Sequence, residues 1–117
     1  MIIKQAREMG IVQPILGPDG FANSTLVELA GADNVDNVFY ASHFTPNSED
    51  PKVQDFLAAF EAEYGKPADS FAALAYDAAQ LVFDAIANAD STDPQAITDA
   101  LAATEDFEGV TGTFSFD

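Results

Sequence analysis

Chemistry in a protein is carried by few side-chain types, and this 117-residue chain holds them unevenly: one histidine, no cysteine and twenty carboxylates. His43 directly follows Ser42, the residue types of a base and a nucleophile. Neighbours in an extended segment point to opposite faces, so these two cannot form such a pair between themselves. His43 is therefore read as a structural or idle loop residue. Asp33 with Asp36, and Asp90 with Asp93 and Asp99, are the notable acid groups, and neither follows the calcium-loop spacing with its mid-loop glycine and terminal glutamate. Without cysteine there is no thiolate metal site and no disulfide framework. Gly17-Pro18-Asp19-Gly20 reads as a turn and not as a phosphate cradle, because no Lys-Ser/Thr follows it and no GxGxxG is present. Carboxylate pairs are abundant only because carboxylates are. No catalytic constellation, cofactor or metal site is expected, and the chain is not read as an enzyme.

The element that must position everything else is the stretch Asp69 to Ala89. Its polar residues Asp77, Gln80, Asp84 and Asn88 fall three, four and four apart, one thin stripe on a helix. Phe71, Leu74, Ala75, Ala78, Leu81, Val82, Ala85 and Ile86 take up the remaining circumference. A helix this apolar, roughly 30 Å long, is expected to be covered on several sides and to be the central packing element. Tyr76 is placed in the core, its hydroxyl needing a buried partner. Phe71 stands apart, at the helix mouth just after Pro67 and Asp69.

The other elements follow from punctuation. Residues 2–9 read as a short helix stopped by Gly10, and nothing caps its beginning, as if the chain had been cut into a longer helix. Val12 to Leu16 reads as a buried strand, with Pro14 as an objection because proline cannot donate to a central ladder. Ser24 is expected to cap a helix over Thr25 to Ala30 that Gly31 ends. Asn37 to Ser42 is aromatic and β-branched and reads as a second strand. Asp50-Pro51 and Asp93-Pro94 each pair an N-cap with proline at the first helical position, starting amphipathic helices up to Gly65 and Ala103. Alternating Val110, Gly112, Phe114 and Phe116 predict a final strand over Gly109 to Phe116. The order α-β-α-β-α-α-α-β predicts an α/β fold, helix-rich, with a small, mostly parallel sheet, and 1–117 reads as a single α/β piece. Two or three strands are few for so much helix surface.

Composition bounds the partners. Four basic residues (Lys4, Arg7, Lys52, Lys66) against the twenty acids give a formal charge of −16. With no basic cluster, nucleic acid and anionic membrane surfaces are poor partners. The first ten residues carry no signal peptide, and no uninterrupted apolar run of about 18 residues is present, so the molecule is expected to be soluble.

QAREMGI…PILGPDG, the YGKPADSFAALAYDA helix entry and DFEGVTGTFSFD, in this order and without large gaps, resemble the C-terminal third of a branched-chain amino-acid (leucine/isoleucine/valine) binding protein. These are type I periplasmic binding proteins that deliver substrates to ABC transporters. The resemblance implies a partial lobe of a two-lobed fold whose cleft holds an amino acid, with a transporter permease as partner and an extracytoplasmic location. It also implies that the groups taking the ligand carboxylate, and the acid taking its ammonium just before Ile2, lie outside this chain, so the piece alone would not bind ligand. By resemblance Phe71 lines the side-chain pocket. Asp19, Gly20 and Phe21 stand at the C-terminal end of the first strand, the edge where open α/β sheets bind ligands. An unpaired strand edge and uncovered apolar surface imply a homo-oligomer for the isolated piece. The rival reading is a self-standing or engineered flavodoxin-like module that acts through oligomerisation.

Overall fold

Aspartate, proline and glycine set the element boundaries almost wherever the sequence offers them. The computed structural model describes residues 2–116, and these form two compact units that divide between Thr45 and Pro46.

In the first unit α1 spans Ile2–Glu8 and buries Ile3. Gly10 takes φ +82°, which lets the amides of Gly10 and Ile11 turn back to the carbonyls of Arg7 and Ala6, each at 3.0 Å. The Arg7 guanidinium then donates to the carbonyls of Ile11 (2.7 Å), Gln13 (3.0 Å) and Asp36 (2.8 Å), tying the helix end to two loops. Strand β1, Ile15–Gly17, pairs in parallel with β2, Val38–Tyr40, with Ile15 opposite Val38 and Gly17 opposite Tyr40. The first strand thus starts after Pro14 and not at Val12, since proline supplies no amide to the ladder. Nor is it buried: Leu16 is 81% and its partner Phe39 56% exposed. Ile15 and Val38 share the half-covered face, and the period of two puts Leu16 and Phe39 on the bare one. Between the strands lie a 3-10 turn, Asp19–Phe21, and α2, Ser24–Ala30. The cap of α2 is Asn23, one residue before the expected Ser24. Its side chain accepts from the Leu26 amide at 3.2 Å, an asparagine doing the work of serine.

In the second unit the three helices are α3, Pro51–Tyr64, α4, Ser70–Ala89, and α5, Pro94–Ala102. Each is capped by the aspartate before it. Asp50 accepts from Lys52 N at 2.9 Å, Asp69 from Ala72 N at 2.9 Å, and Asp93 from Gln95 N and Ala96 N at 3.0 and 3.2 Å. Val53, Phe56, Ala68, Ala73, Ala85 and Val110 are its buried apolar residues, accompanied by Ser70 and Asp77.

The expected final strand is instead a hairpin. β3, Phe107–Glu108, pairs antiparallel with β4, Thr113–Phe114, and Phe107 stacks on Phe114 at 6.1 Å. Gly109 donates to the Gly112 carbonyl at 2.8 Å, and Gly112 takes φ +142°. The alternation of Val110, Gly112 and Phe114 imitates a strand, but the two glycines permit the reversal. The α/β class and the helix excess hold, with one parallel pair and one antiparallel hairpin as the only sheets among the described residues.

The long helix α4 is covered on one side only. Asp77, a member of the thin polar stripe, is 4% exposed, whereas Val82, Phe83 and the alanines at 75, 78 and 79 are exposed. Tyr76 is not a core residue either. Its ring leans on Phe56 at 5.0 Å, but its position beyond the helix's covered side leaves it exposed. By length and composition alone α4 is long and apolar enough to cross a membrane, although no uninterrupted apolar run of about 18 residues is present.

Candidate functional site

At the ends of β1 and β2 the first unit gathers Asp19, Gly20, Phe21 and His43. One Asp19 oxygen accepts from the Gly20 amide at 2.9 Å, and the other lies 3.6 Å from His43 Nε2. Both side chains are more than half exposed, so the pair is weak and ionic only when the imidazole is protonated. Asn23 Nδ2 donates to the Gly20 carbonyl at 2.9 Å and closes the turn. The Phe21 ring lies against Gly17 so closely that a Cβ there would fall inside it. Gly17 is thus a glycine for reasons of space. His43 has a neighbour after all, which spacing along the chain did not reveal, since 24 residues separate it from Asp19. The Ser42 hydroxyl donates to the Phe44 carbonyl at 2.7 Å and accepts from the Phe44 amide at 3.3 Å.

Phe71 is the second residue of α4 and 51% exposed. It belongs to the second unit, whereas Asp19, Gly20 and Phe21 belong to the first. The second unit also has an open groove of about 690 Å³ between α3, α4 and the hairpin, which Phe71 does not line. The aromatic residues Phe56, Phe60, Tyr64, Tyr76 and Phe107 share its walls with charged ones, and Lys52 meets the Glu108 carboxylate at 3.1 Å and carbonyl at 3.0 Å.

The wall of that groove is held by a residue the sequence did not distinguish. The Asp77 carboxylate accepts from Val110 N at 2.7 Å, Thr111 N at 2.8 Å and Thr111 Oγ1 at 2.6 Å. Both oxygens are used, and hydrogen bonds to an ionised acceptor are stronger than neutral ones. A side chain at Gly109 would run into this carboxylate. Asp77 thereby clamps the hairpin turn onto α4. Its only signal in the sequence is an acid on a helix otherwise rich in alanine, and a surface stripe explains that equally well. Among the described residues no group of three or more His, Cys, Asp or Glu is arranged to hold a metal ion. The arrangement can offer apolar contact and backbone hydrogen bonds.

A family model described as "Periplasmic binding protein" matches residues 1–117. The chain is 30% identical over 117 residues to the leucine-, isoleucine-, valine-, threonine- and alanine-binding protein of Pseudomonas aeruginosa, covering 100% of the chain and 31% of that protein. Among solved structures it is similar to the branched-chain amino acid transporter substrate-binding protein of Streptococcus pneumoniae in complex with isoleucine. That match has a TM-score of 0.89 and 44% identity, over 99% of this chain and 33% of that one. A leucine-binding protein from Thermotoga maritima matches with a TM-score of 0.87 and 32% identity, over 99% and 33% of the two chains. The chain therefore spans about a third of the length of these relatives.

Proposed function

The chain belongs to the periplasmic binding protein family, and from that premise we propose that it forms the C-terminal part of an extracytoplasmic, two-lobed protein that captures a branched-chain amino acid for ABC import. The observation that carries this reading is the end-to-end similarity of these residues to an isoleucine-bound transport protein. In this reading Phe71 contributes apolar contact to the ligand side chain, and Asp19, Gly20 and Phe21 border the cleft. A half-exposed aromatic at a helix mouth, and a turn at the C-terminal ends of parallel strands, are places suited to those tasks. The protein's role is binding and delivery to a permease, not catalysis.

The test is to graft these residues onto the Streptococcus pneumoniae protein in place of its matching third and to titrate the chimera with isoleucine. Saturable binding is expected, weakened by Phe71→Ala by about tenfold or more, the size of a lost aromatic contact. A folded chimera indifferent to leucine, isoleucine and valine refutes the reading. The 117-residue chain alone is expected to show no binding at millimolar ligand, and a dissociation constant below about 100 µM in calorimetry overturns that expectation.

A further inference from the structure

The groove of the second unit combines a ladder of aromatic rings with more carboxylates than cations. Phe56, Phe60 and Tyr64 stand four residues apart, so they share one side of α3. Their rings meet in series, Phe56 with Phe60 at 5.9 Å and Phe60 with Tyr64 at 4.6 Å, and Tyr76 joins from α4 at 5.0 Å from Phe56. Phe56 is buried, whereas Tyr64 is 63% and Tyr76 43% exposed, so ring surface remains for a ligand. Four carboxylates and one ammonium line the same space. Asp77 is engaged by its three donors, and Lys52 by Glu108 at 3.1 Å. Asp55 and Asp84 remain. Asp55 is the neighbour of Phe56, and Asp84 lies seven residues beyond Asp77, on the same side of α4. Both are exposed, and neither takes part in an ion pair among the described residues.

We propose that this groove binds a small organic cation, an ammonium or guanidinium group carried on an apolar body. Charge complementarity and ring surface select that occupant together. A cation within about 6 Å of a ring centre is attracted to the face of the ring, and Asp55 and Asp84 supply the compensating charge. A metal ion fits poorly, because no group of three or more acids among the described residues is arranged to hold one. An organic cation spreads its charge over several atoms and lets the rings share the contact. An anion would meet four carboxylates and a single ammonium that is already engaged. A neutral apolar molecule gains the ring contact but takes water from Asp55 and Asp84 without replacing it. The volume of about 690 Å³ lies in the range of small-molecule sites. The groove shares no residue with the amino-acid contacts proposed at Phe71, Asp19, Gly20 and Phe21, and the inference does not rest on that reading.

The test compound is benzyltrimethylammonium, a cation with one ring. It is titrated into the 117-residue chain and into the chimera described above, with the tyrosine resonances followed by NMR. Saturable shifts are expected at Tyr64 and Tyr76 in both proteins, with a dissociation constant of about 1 mM or tighter. Asp84→Asn and Tyr64→Leu are each expected to weaken binding by about fivefold or more, the second keeping apolar bulk while removing the ring. Asp33→Asn removes the same charge from the first unit and is expected to leave the affinity unchanged. Equal affinity for benzyl alcohol, which has the ring without the charge, reveals an apolar groove only and overturns the proposal. Equal weakening by Asp33→Asn, or complete loss of binding in about 0.5 M salt, assigns the effect to the overall charge and does the same. Absence of saturable shifts also overturns it. So does binding to the chain that is missing from a folded chimera, because the groove is then closed in the longer fold. A chimera that binds isoleucine but not this cation removes the groove site alone, and the reverse outcome removes only the amino-acid reading.

Discussion

The turn at Asp19–Phe21 and the clamp at Asp77 are both built from a carboxylate that accepts backbone amide hydrogens, yet they differ in reach. Asp19 bonds the very next amide, remains half exposed and has a weakly placed imidazole for company. Asp77 reaches 33 and 34 residues along the chain, is buried, and uses both oxygens. A local, solvated contact competes with water at every point and shapes only its own turn. A buried carboxylate with three donors is expensive to leave unpaired, so it ties two distant elements into one cooperative structure.

Breaking the clamp should have the largest effect. Asp77→Ala is expected to destabilise the second unit by about 3 kcal/mol, because two amides and a hydroxyl lose a charged acceptor. Urea unfolding measures this, and amide exchange at Val110 and Thr111 should accelerate well beyond that at α5. A variant that unfolds at the wild-type midpoint shows that the clamp carries no stability. Gly109→Ala should cost about 2 kcal/mol, since its methyl group meets the Asp77 carboxylate and the packed turn must shift. Should Gly109→Ala be harmless in wild type, the close approach of turn and helix is wrong. In an Asp77→Ala background the glycine should become nearly replaceable, a non-additivity that isolates the contact.

The local interactions should be cheaper. Asp93→Ala removes a cap that serves two amides, with an expected loss of about 1 kcal/mol. Helical signal in α5 should fall before the rest of the unit unfolds, and simultaneous loss would place α5 within the cooperative core. Smallest of all, Asp19→Asn or His43→Gln should move stability by less than about 0.5 kcal/mol. A larger change measured at either residue would mean that the turn resembles the clamp more than its exposure suggests.

The helices were legible because their signals are short-range. Asp50-Pro51, Asp93-Pro94 and Asp69 carry cap chemistry within three residues of the amides they serve, and Gly10, Gly31 and Gly65 stop helices through their own φ. Strand extents were less legible. β1 shrank behind Pro14, and alternation in the last stretch did not distinguish a strand from a hairpin whose glycines reverse the chain.

What the sequence determined by itself is therefore the helix-rich α/β class, the element order up to the final hairpin, and, through long ordered motifs, the family. Composition alone decided the acidity and the absence of thiol chemistry. Which side of α4 is the inside was decided only by tertiary structure. A helical pattern states which residues share a face but not which face meets a neighbour. The polar stripe by itself does not tell that Asp77 lies buried, because the donors that make its burial affordable sit on a turn more than thirty residues away.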